Sequence, residues 1–371
     1  MRKDNTTEAF FALIRAGLWE KDVCLSSYGN IDYQRLLLLA EEQTVEGIIS
    51  AGIEHVQDLK IPQDVALQFV GAALQIEQRN ITMNFFIESL VRKMREADIY
   101  TLLVKGQGIA QCYERPLWRT SGDIDFLLSN DYTKANDFLK PLSDAMQEEL
   151  EDEKHVSYSI KNWEVELHGT MRTSILKRVD KGIDNIQKAI FTEGRIRVWH
   201  NNKTDVYLPE PNDDVILVFT HYLKHFFNGG IGIRQICDWC RLLWTFREKI
   251  DVQLLQKRLK EMGILSEWKA FSAFAVEVLG APSDIMPLFT DSKHWSRKSE
   301  RLKSFIIESG NFGHNKDTSY FDKYPFVIRK AISLWGIVKD TYTHILIFPF
   351  DGLKSFCNVF VYGMKEAIKG K

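Results

Sequence analysis

The stretch Asp123-Ile124-Asp125-Phe126-Leu127-Leu128 indicates how the centre of this chain folds. Polar and apolar residues alternate at its start, as in a half-buried β-strand. Asp123 and Asp125 then project from one face and Ile124 from the other. Carboxylates this close repel each other unless a proton or cation neutralises them, and their oxygens suit a hard ion such as Mg²⁺. The pair is a candidate metal site, and an exposed strand with two solvated aspartates is the simpler alternative.

Another strand is predicted upstream, where Ile99 to Val104 is a short run of apolar and β-branched residues. The glycine-containing turn Lys105-Gly106-Gln107-Gly108 follows it and leads into a short helix over residues 108–113. Such a turn lets a phosphate approach backbone N–H groups, although a plain tight turn explains it equally well. Gln111 stands where a dinucleotide-binding motif needs its third glycine, and no P-loop sequence is present. Rossmann and P-loop folds therefore lose support.

Downstream, Val156 to Ile160 and Trp163 to His168 are predicted as two strands joined by a two-residue turn. Glu164, Glu166 and His168 share one face of the second strand. If that strand lies beside the aspartates, one glutamate completes a group of three carboxylates, and the spacing does not choose between the two. A polar outer face of an ordinary strand is the alternative.

Helical patterns flank this mixed centre and give a predicted α+β fold. An apolar stripe runs from Val65 to Met94, and a further hairpin is predicted within residues 195–208. Asn212 is a candidate N-cap for a helix that begins near Pro211. The later predicted helices cover residues 233–246, 251–262, 265–279, 295–308 and 323–340, and the helix predicted after the aspartates covers 131–145. We expect a helical region over 1–97, an α+β core over 98–210 and a helical region over 211–371.

Composition narrows the class of protein. The 371 residues carry 48 Lys and Arg against 50 Asp and Glu, a net charge of -2, so no broad nucleic-acid surface is expected. Five cysteines, an odd number, do not form a secreted disulfide framework, and the N-terminus lacks a signal-peptide pattern. We expect a cytoplasmic protein. The most apolar stretch, Ile345 to Met364, is interrupted by polar residues, so no transmembrane helix is predicted and core packing is preferred over a partner or membrane surface.

Several segments carry a likeness to a known family. They are Leu103 to Gly106, Tyr113 to Arg119, Asp123 to Leu127 and Glu166 to His168, with looser agreement at His221, His225, Gly232, Arg234 and Asp238. Together they resemble the uncharacterised nucleotidyltransferase family of the DNA polymerase β-like nucleotidyltransferase superfamily.

The resemblance implies a small mixed sheet flanked by helices and an enzymatic site. It makes Asp123 and Asp125 ligands of two Mg²⁺ ions and Glu166 the third catalytic carboxylate, which binds metal and helps to activate the acceptor hydroxyl. The turn at Gly106 would hold the triphosphate. Gln107 departs from the family's usual second glycine or serine, and the count from Gln107 through Gly122 leaves a long segment of 16 residues before the aspartates.

Other charged residues are predicted to contact the nucleotide. Arg119 and Lys105 suit a phosphate, with a structural ion pair as the alternative for each. Arg234 lies four residues before Asp238, which fits a helix ion pair, and the resemblance implies support for the rim of the site. The predicted nucleotide-binding set is Lys105, Gly106, Gln107, Arg119 and Arg234.

Two further motifs give only weak support for a zinc site or a redox site. His221 and His225 lie one helical turn apart, but Tyr222 replaces the glutamate of a zinc-protease motif, so ordinary half-buried histidines are preferred over a polar wall of the nucleotide cleft. Cys237 and Cys240 match C-x-x-C within a predicted helix and lack the strand that precedes a redox motif.

The predicted function is transfer of an NMP group from an NTP, such as ATP, to an unidentified hydroxyl or phosphate acceptor, with release of pyrophosphate. No residue fixes the base, the acceptor or the oligomeric state. The altered Gly106-Gln107 pair motivates one alternative, nucleotide binding without turnover. The second alternative is a helical protein-interaction module in which the carboxylates are incidental.

Overall fold

A computed structural model of the protein describes residues 4–129, 131–146, 154–311 and 326–354. A small mixed sheet lies among helices that come from both ends of the chain, so the fold is α+β as predicted. The helices of the described ranges are α1 (Asn5–Trp19), α2 (Tyr33–Glu42), α3 (Glu46–Glu54), α4 (Gln63–Glu96), α5 (Gly106–Ala110), α6 (Tyr132–Leu139), α7 (Lys177–Glu193), α8 (Pro211–Asn228), α9 (Ile233–Thr245), α10 (Val252–Met262), α11 (Leu265–Glu277), α12 (Lys293–Ser309) and α13 (Phe326–Ile347).

The strands occur in the middle of the chain. They are β1 (Leu102–Val104), β2 (Ile124–Leu127), β3 (Ala145–Met146), β4 (His155–Ile160), β5 (Trp163–His168), β6 (Ile196–Asn201) and β7 (Thr204–Pro209). Among the described residues, the main sheet has the order β1-β2-β5-β4-β3, and β6 pairs with β7 in a separate hairpin. Only β2 and β5 run parallel within this main sheet as described; its other neighbours are antiparallel. The predicted β4–β5 hairpin is confirmed.

Several element boundaries differ from prediction, among them the end of the helix predicted over 323–340, which extends to Ile347. The helix after the aspartates ends at Leu139 rather than near residue 145, because Pro141 cannot donate a helical hydrogen bond, and the chain then enters β3. Glu210, and not Asn212, is the N-cap of α8, since Pro211 occupies the first helical position that its fixed φ favours. The turn between β6 and β7 is only two residues long, and Asn202 there adopts φ 51°.

Buried apolar side chains form two clusters. The larger one joins helices of both ends of the chain, from Phe10 in α1 to Phe219 in α8 and Trp268 in α11. The smaller one lies under the sheet, where Phe126 and Leu167 meet the long helix α4. The division into regions 1–97, 98–210 and 211–371 remains a prediction.

Hydrogen bonds also connect α1 to α9 and to the residues that follow α11. The indole of Trp19 donates to the carbonyl of Leu279 at 2.6 Å, and Arg15 donates to the carbonyl of Val278 at 3.0 Å. Arg241 in α9 donates a hydrogen bond to the carbonyl of Leu18 at 3.1 Å. These bonds connect parts of the sequence that are separated by more than half of the chain.

Two sequence predictions concern the later helices. Cys237 and Cys240 are buried in α9, and burial raises the pKa of both thiols, which fits packing rather than redox chemistry. The apolar stretch that begins at Ile345 is described only as far as residue 354, and there Ile347 and Phe348 are buried. In the described part of the chain, no helix has the length and apolar character needed to cross a membrane.

Candidate active site

Three carboxylates meet on one face of the sheet. Asp125 in β2 pairs directly with Glu166 in β5, and Asp123 lies two residues before Asp125 on the same face. Ligand oxygens of all three lie within 4.8 Å of one another. The structure therefore brings together the residues predicted as the catalytic set. Glu164 shares their face, but its carboxylate accepts a hydrogen bond from Ser157 at 2.9 Å and is outside this group.

Local sequence explains why the acids point to this face. Ile124 and Phe126 alternate with the aspartates, and Val165 and Leu167 alternate with Glu166; all four apolar side chains are at most 1% exposed. Burial of each such side chain stabilises the fold by about 1.5–3 kcal/mol. A one-residue slip of either strand would bury carboxylates in their place, so the apolar face fixes the register that assembles the acids.

Lys105 approaches the acids from the turn after β1. Its Nζ lies 2.6 Å from Oδ1 of Asp125. Burial opposes the charge of this ammonium group, but the surrounding carboxylates outweigh that effect and raise the pKa of Lys105. Lys105 adopts φ 58° and Gly106 φ 43°. A side-chain-bearing residue at such a φ is strained by about 1–3 kcal/mol, and here the strained backbone carries a lysine whose ammonium group contacts the carboxylates.

Two histidines also contact the carboxylates. Nε2 of His168 lies 2.8 Å from Oδ1 of Asp125 and 3.3 Å from Oε2 of Glu166, and Nε2 of His155 lies 3.1 Å from the same Oε2. Burial opposes the charge of His168, yet its hydrogen bonds to both carboxylates raise its pKa. Burial likewise disfavours ionised Glu166, but the hydrogen bonds from the two imidazoles hold its pKa well below the usual range. These hydrogen bonds thus hold Glu166 ionised.

Asp123 remains the least compensated acid of the group. It is exposed immediately before β2, and the negative charge of Asp125, followed by partial desolvation, raises the pKa of its carboxyl. Lys105 acts in the opposite direction with a smaller effect. A further cation would relieve this repulsion, and three converging carboxylates are the oxygen donors that Mg²⁺ prefers. The residues therefore fit the predicted divalent ion.

A cavity of about 320 Å³ opens above the carboxylates. Asp123, Glu166 and Lys105 line it on the sheet side. The facing side chains come from α8, including Lys224, and from the segment between β5 and α7, including Arg172. This volume lies at the lower end of the range typical of small-molecule sites, and the cavity combines an acidic floor with basic walls.

His221 and His225 line the same cavity. Their Nε2 atoms lie 3.0 Å apart, and Nζ of Lys105 lies 3.5 Å from Nε2 of His221. Burial, followed by the charge of Lys105, holds the pKa of His221 well below its usual range and lowers that of His225 to about 4. Both imidazoles are therefore neutral near pH 7, and their place agrees with the interpretation as a polar wall of the cleft.

The remaining predicted nucleotide contacts lie away from the lining of this cavity. Arg119 makes two hydrogen bonds to Asp238, at 2.6 and 3.0 Å, and Arg234 approaches the same carboxylate at 3.4 Å. Gln107 donates to Asn80 at 2.7 Å and to Ser121 at 3.0 Å. These side chains bind other parts of the protein and fasten the segment that leads to the aspartates.

His155 is the site residue that sequence reasoning missed. A two-residue turn between β4 and β5 pairs Ile160 with Trp163, and the same register places His155 opposite His168. The signal was therefore present in the predicted hairpin, one residue before the predicted start of β4. Arg172 and Lys224 carry no comparable motif, because they reach the cavity from elements that only the tertiary fold brings together.

Comparison with known proteins gives one family and a distant structural likeness. A model of a family described as uncharacterised nucleotidyltransferase matches residues 29–280. No curated protein matches the chain. A search of solved structures finds similarity to an antigenic nucleotidyltransferase-like protein from Paracoccidioides brasiliensis, with 14% sequence identity and a TM-score of 0.33 over 53% of this chain and 92% of that one.

Proposed function

The chain belongs to the uncharacterised nucleotidyltransferase family, and from that premise we propose that it is an Mg²⁺-dependent enzyme that transfers an NMP group from an NTP to a hydroxyl or phosphate acceptor. Pyrophosphate is the second product. The observation that carries the proposal is the convergence of Asp123, Asp125 and Glu166 beside a cavity. The free thiols in the described part of the chain support our expectation of a reduced, cytoplasmic setting.

Asp123, Asp125 and Glu166 are the proposed ligands of two Mg²⁺ ions, in the arrangement that the polymerase β-like resemblance implies. Bound divalent ions stabilise the negative charge that develops on phosphoryl oxygens. The protein's part is to hold the carboxylates on adjacent strands before substrate arrives, so that little reorganisation accompanies the reaction. The buried faces of β2 and β5 supply that rigidity.

Lys105 and the Gly106 turn are the proposed contacts to the triphosphate. Support comes from the ammonium group of Lys105, which lines the cavity within 2.6 Å of Asp125 and is held charged by the carboxylates. Gln107, Arg119 and Arg234 remain predicted nucleotide contacts, and their present partners support a role in positioning the Gly106 turn and the segment before Asp123.

Proton transfer from the acceptor hydroxyl depends on how basic the side chains of the cavity are. The hydrogen bonds that keep Glu166 ionised make it a weak base, because its pKa is low. His221 on the facing wall is a neutral imidazole whose pKa is also held well below its usual range, so it is suited to hydrogen-bond the acceptor rather than to remove its proton. We therefore propose that metal ions held by the carboxylates would lower the pKa of the acceptor hydroxyl and that this wall orients it.

The proposal is tested by measuring pyrophosphate release from ATP, GTP, CTP and UTP, with and without Mg²⁺, in the presence of a panel of hydroxyl and phosphate acceptors. We expect release that requires Mg²⁺ and is lost in the Asp123→Asn variant. Asp291→Asn, a change at an exposed aspartate outside the cavity lining, is the matched control and should behave as wild type. Metal-independent release, or equal release by both variants, would exclude this assignment.

One observation favours a second candidate, nucleotide binding without turnover. Lys105 and His168 both contact Oδ1 of Asp125, at 2.6 and 2.8 Å, so this ligand oxygen already has an ammonium and an imidazole partner within the protein. Thermal unfolding separates the two functions. A Mg²⁺-dependent nucleotide shift in a protein that releases no pyrophosphate with any acceptor of the panel would favour binding alone, because a ligand at 100 times its Kd adds about 2.7 kcal/mol of stability whether or not it reacts.

A further inference from the structure

A second group of metal-ligating side chains adjoins the carboxylates, on the side of the sheet toward β4. His155, Glu166 and His168 present ligand atoms that all lie within 4.8 Å of one another. The β4–β5 register places His155 opposite His168, and Glu166 lies two residues before His168 on the same face. Two imidazoles and one carboxylate thus meet at one place, and all three residues line the cavity.

We infer that His155, Glu166 and His168 form a site for a borderline transition-metal ion, with Zn²⁺ as the expected occupant. Imidazole nitrogen suits such ions, whereas Mg²⁺ is held almost entirely by oxygen. This site shares Glu166 with the proposed function but does not depend on nucleotidyl transfer. Oε2 of Glu166 is the oxygen that both imidazoles approach, so the second carboxylate oxygen stays available to the aspartate side.

The distances already approach those of a coordination sphere. Oε2 of Glu166 lies 3.1 Å from Nε2 of His155 and 3.3 Å from Nε2 of His168. Ligands bound tetrahedrally to Zn²⁺ at about 2.0–2.1 Å stand roughly 3.3–3.4 Å apart. Nε2 of His168 also lies 2.8 Å from Oδ1 of Asp125, so a bound ion would replace that contact. The two rings are stacked, with centroids 4.7 Å apart and planes inclined by 22°, so the imidazoles would turn to direct both nitrogen lone pairs at the ion.

The donor set is that of a reactive rather than a closed site. Structural zinc sites use four protein ligands, whereas two histidines and one carboxylate leave a fourth position for water or substrate. Here that position would face the cavity that the three residues line. An ion held there would carry an exchangeable ligand beside the carboxylates proposed to serve the nucleotide.

A competing pair of nitrogens lies across the cavity. Nε2 of His221 and Nε2 of His225 are 3.0 Å apart, close enough to chelate an ion. Among the described residues, however, no carboxylate joins them in a group of three ligands. The His155 group offers one more ligand and a negative charge, and we therefore assign the ion to it. His225 becomes the natural control position.

The test uses the full chain after removal of metals with a chelator and involves no nucleotide. Co²⁺ is titrated in and followed by its visible absorption, which reports coordination number and nitrogen ligation, and Zn²⁺ binding is measured by calorimetry in excess Mg²⁺. We expect one equivalent to bind with a four- or five-coordinate spectrum. His155→Ala and His168→Ala should each weaken binding at least about tenfold, and His225→Ala should leave affinity and spectrum unchanged.

Three results would overturn the assignment: no stoichiometric binding of either ion to wild type, wild-type affinity and spectrum in His155→Ala, or a loss confined to His225→Ala. His155→Gln, which keeps a polar partner for Glu166, and circular dichroism separate loss of a ligand from loss of fold. A protein that binds Co²⁺ at this site but releases no pyrophosphate would refute the proposed function alone. Pyrophosphate release without this binding would refute the present inference alone.

Discussion

The carboxylates on the sheet face and the carboxylate of Asp238 both have cationic neighbours, but Asp123 and Glu166 line the 320 Å³ cavity and Asp238 does not. Oδ1 of Asp238 accepts hydrogen bonds from Tyr113 at 2.7 Å and Arg119 at 3.0 Å, and Oδ2 accepts from Arg119 at 2.6 Å and Arg234 at 3.4 Å. We call these four residues the Asp238 network. Each of its oxygens already has its partners, so the network holds the protein together and leaves no oxygen for a ligand.

The sheet-face group, Asp123, Asp125 and Glu166, has the opposite balance. Its members repel one another enough to raise the pKa of Asp123, although Lys105 lies nearby. Clefts that bind cations or phosphates characteristically retain such unbalanced charge, which a ligand then completes. The comparison indicates that a cluster of charged residues is a candidate binding site when two conditions are met. Its charges are not fully compensated by the protein, and it lines a cavity.

The largest effect is expected from a substitution within the sheet-face group. Asp125→Asn should reduce nucleotidyl transfer at least ~10³-fold, equivalent to about 4 kcal/mol of activation free energy, because a metal-binding charge is lost while the shape is kept. The measurement is pyrophosphate release under Mg²⁺ saturation, with circular dichroism to verify folding. Activity within tenfold of wild type would contradict the assigned role of this carboxylate.

The next largest effect is expected from a substitution that removes the central carboxylate of the Asp238 network. Asp238→Ala should lower the free energy of unfolding by about 3–5 kcal/mol, because Arg119 is left buried without its counter-ion. Urea denaturation measures the change. Glu96→Ala, which removes an exposed helix pair with Arg92, is the matched control and should cost less than about 0.5 kcal/mol. Equal losses in the two variants would show that the network carries no special weight.

A smaller effect tests whether Gln107 stabilises the fold, as the Asp238 network does, or contacts the nucleotide beside the sheet-face group. Gln107→Ala should lower the free energy of unfolding by about 1–3 kcal/mol, since Asn80 and Ser121 lose a buried hydrogen-bond donor. Lys105→Ala should instead raise the KM for the nucleotide. A rise in KM of similar size in Gln107→Ala, without loss of stability, would instead support the predicted role of Gln107 as a nucleotide contact.

The smallest effect concerns pH and the wall of the cavity. Burial and the charge of Lys105 lower the folded-state pKa of His225 to about 4, below the value near 6.5 of an unfolded chain. The unfolded state therefore takes up the proton first, and stability that is fully present above about pH 6.5 is lost as the pH falls toward 4. Relative to its effect at pH 7.5, His225→Gln should stabilise the protein by about 1 kcal/mol at pH 5.5. Urea denaturation at each pH measures this difference in the free energy of unfolding. A difference between wild type and variant that stays constant from pH 7.5 to pH 5.5 would contradict the lowered pKa of His225.

Local pattern was enough to predict the α+β class and the acidic face. The alternation in β2 and β5 gave the faces of Asp125 and Glu166, but Glu164 has the same parity as Glu166, and only the β2–β5 register distinguishes them. His155 could have been found by extending the hairpin register by one residue beyond the predicted strand.

Long-range partners explain the rest. Arg119 and Asp238 are 119 positions apart, and nothing in the spacing around either residue shows that they meet in the interior. From the sequence alone, an arginine four residues before an aspartate of the site predicts a phosphate contact, and its distant ion-pair partner cannot be inferred. The same holds for Gln107, whose partner Asn80 lies on α4.

The bonds that tie α1 to Val278 and Leu279 have a consequence for how the protein is made. Trp19 leaves the ribosome 260 residues before the carbonyl it binds, a delay of roughly 10–50 s at cellular rates of translation. Until α8, α9 and α11 have been synthesised, the apolar side of α1, with Phe10 and Leu13, lacks the later helices that share its cluster. Nascent chains halted before residue 240 should therefore be cut readily within α1 by added protease and should recruit chaperones there, whereas the released protein resists cleavage.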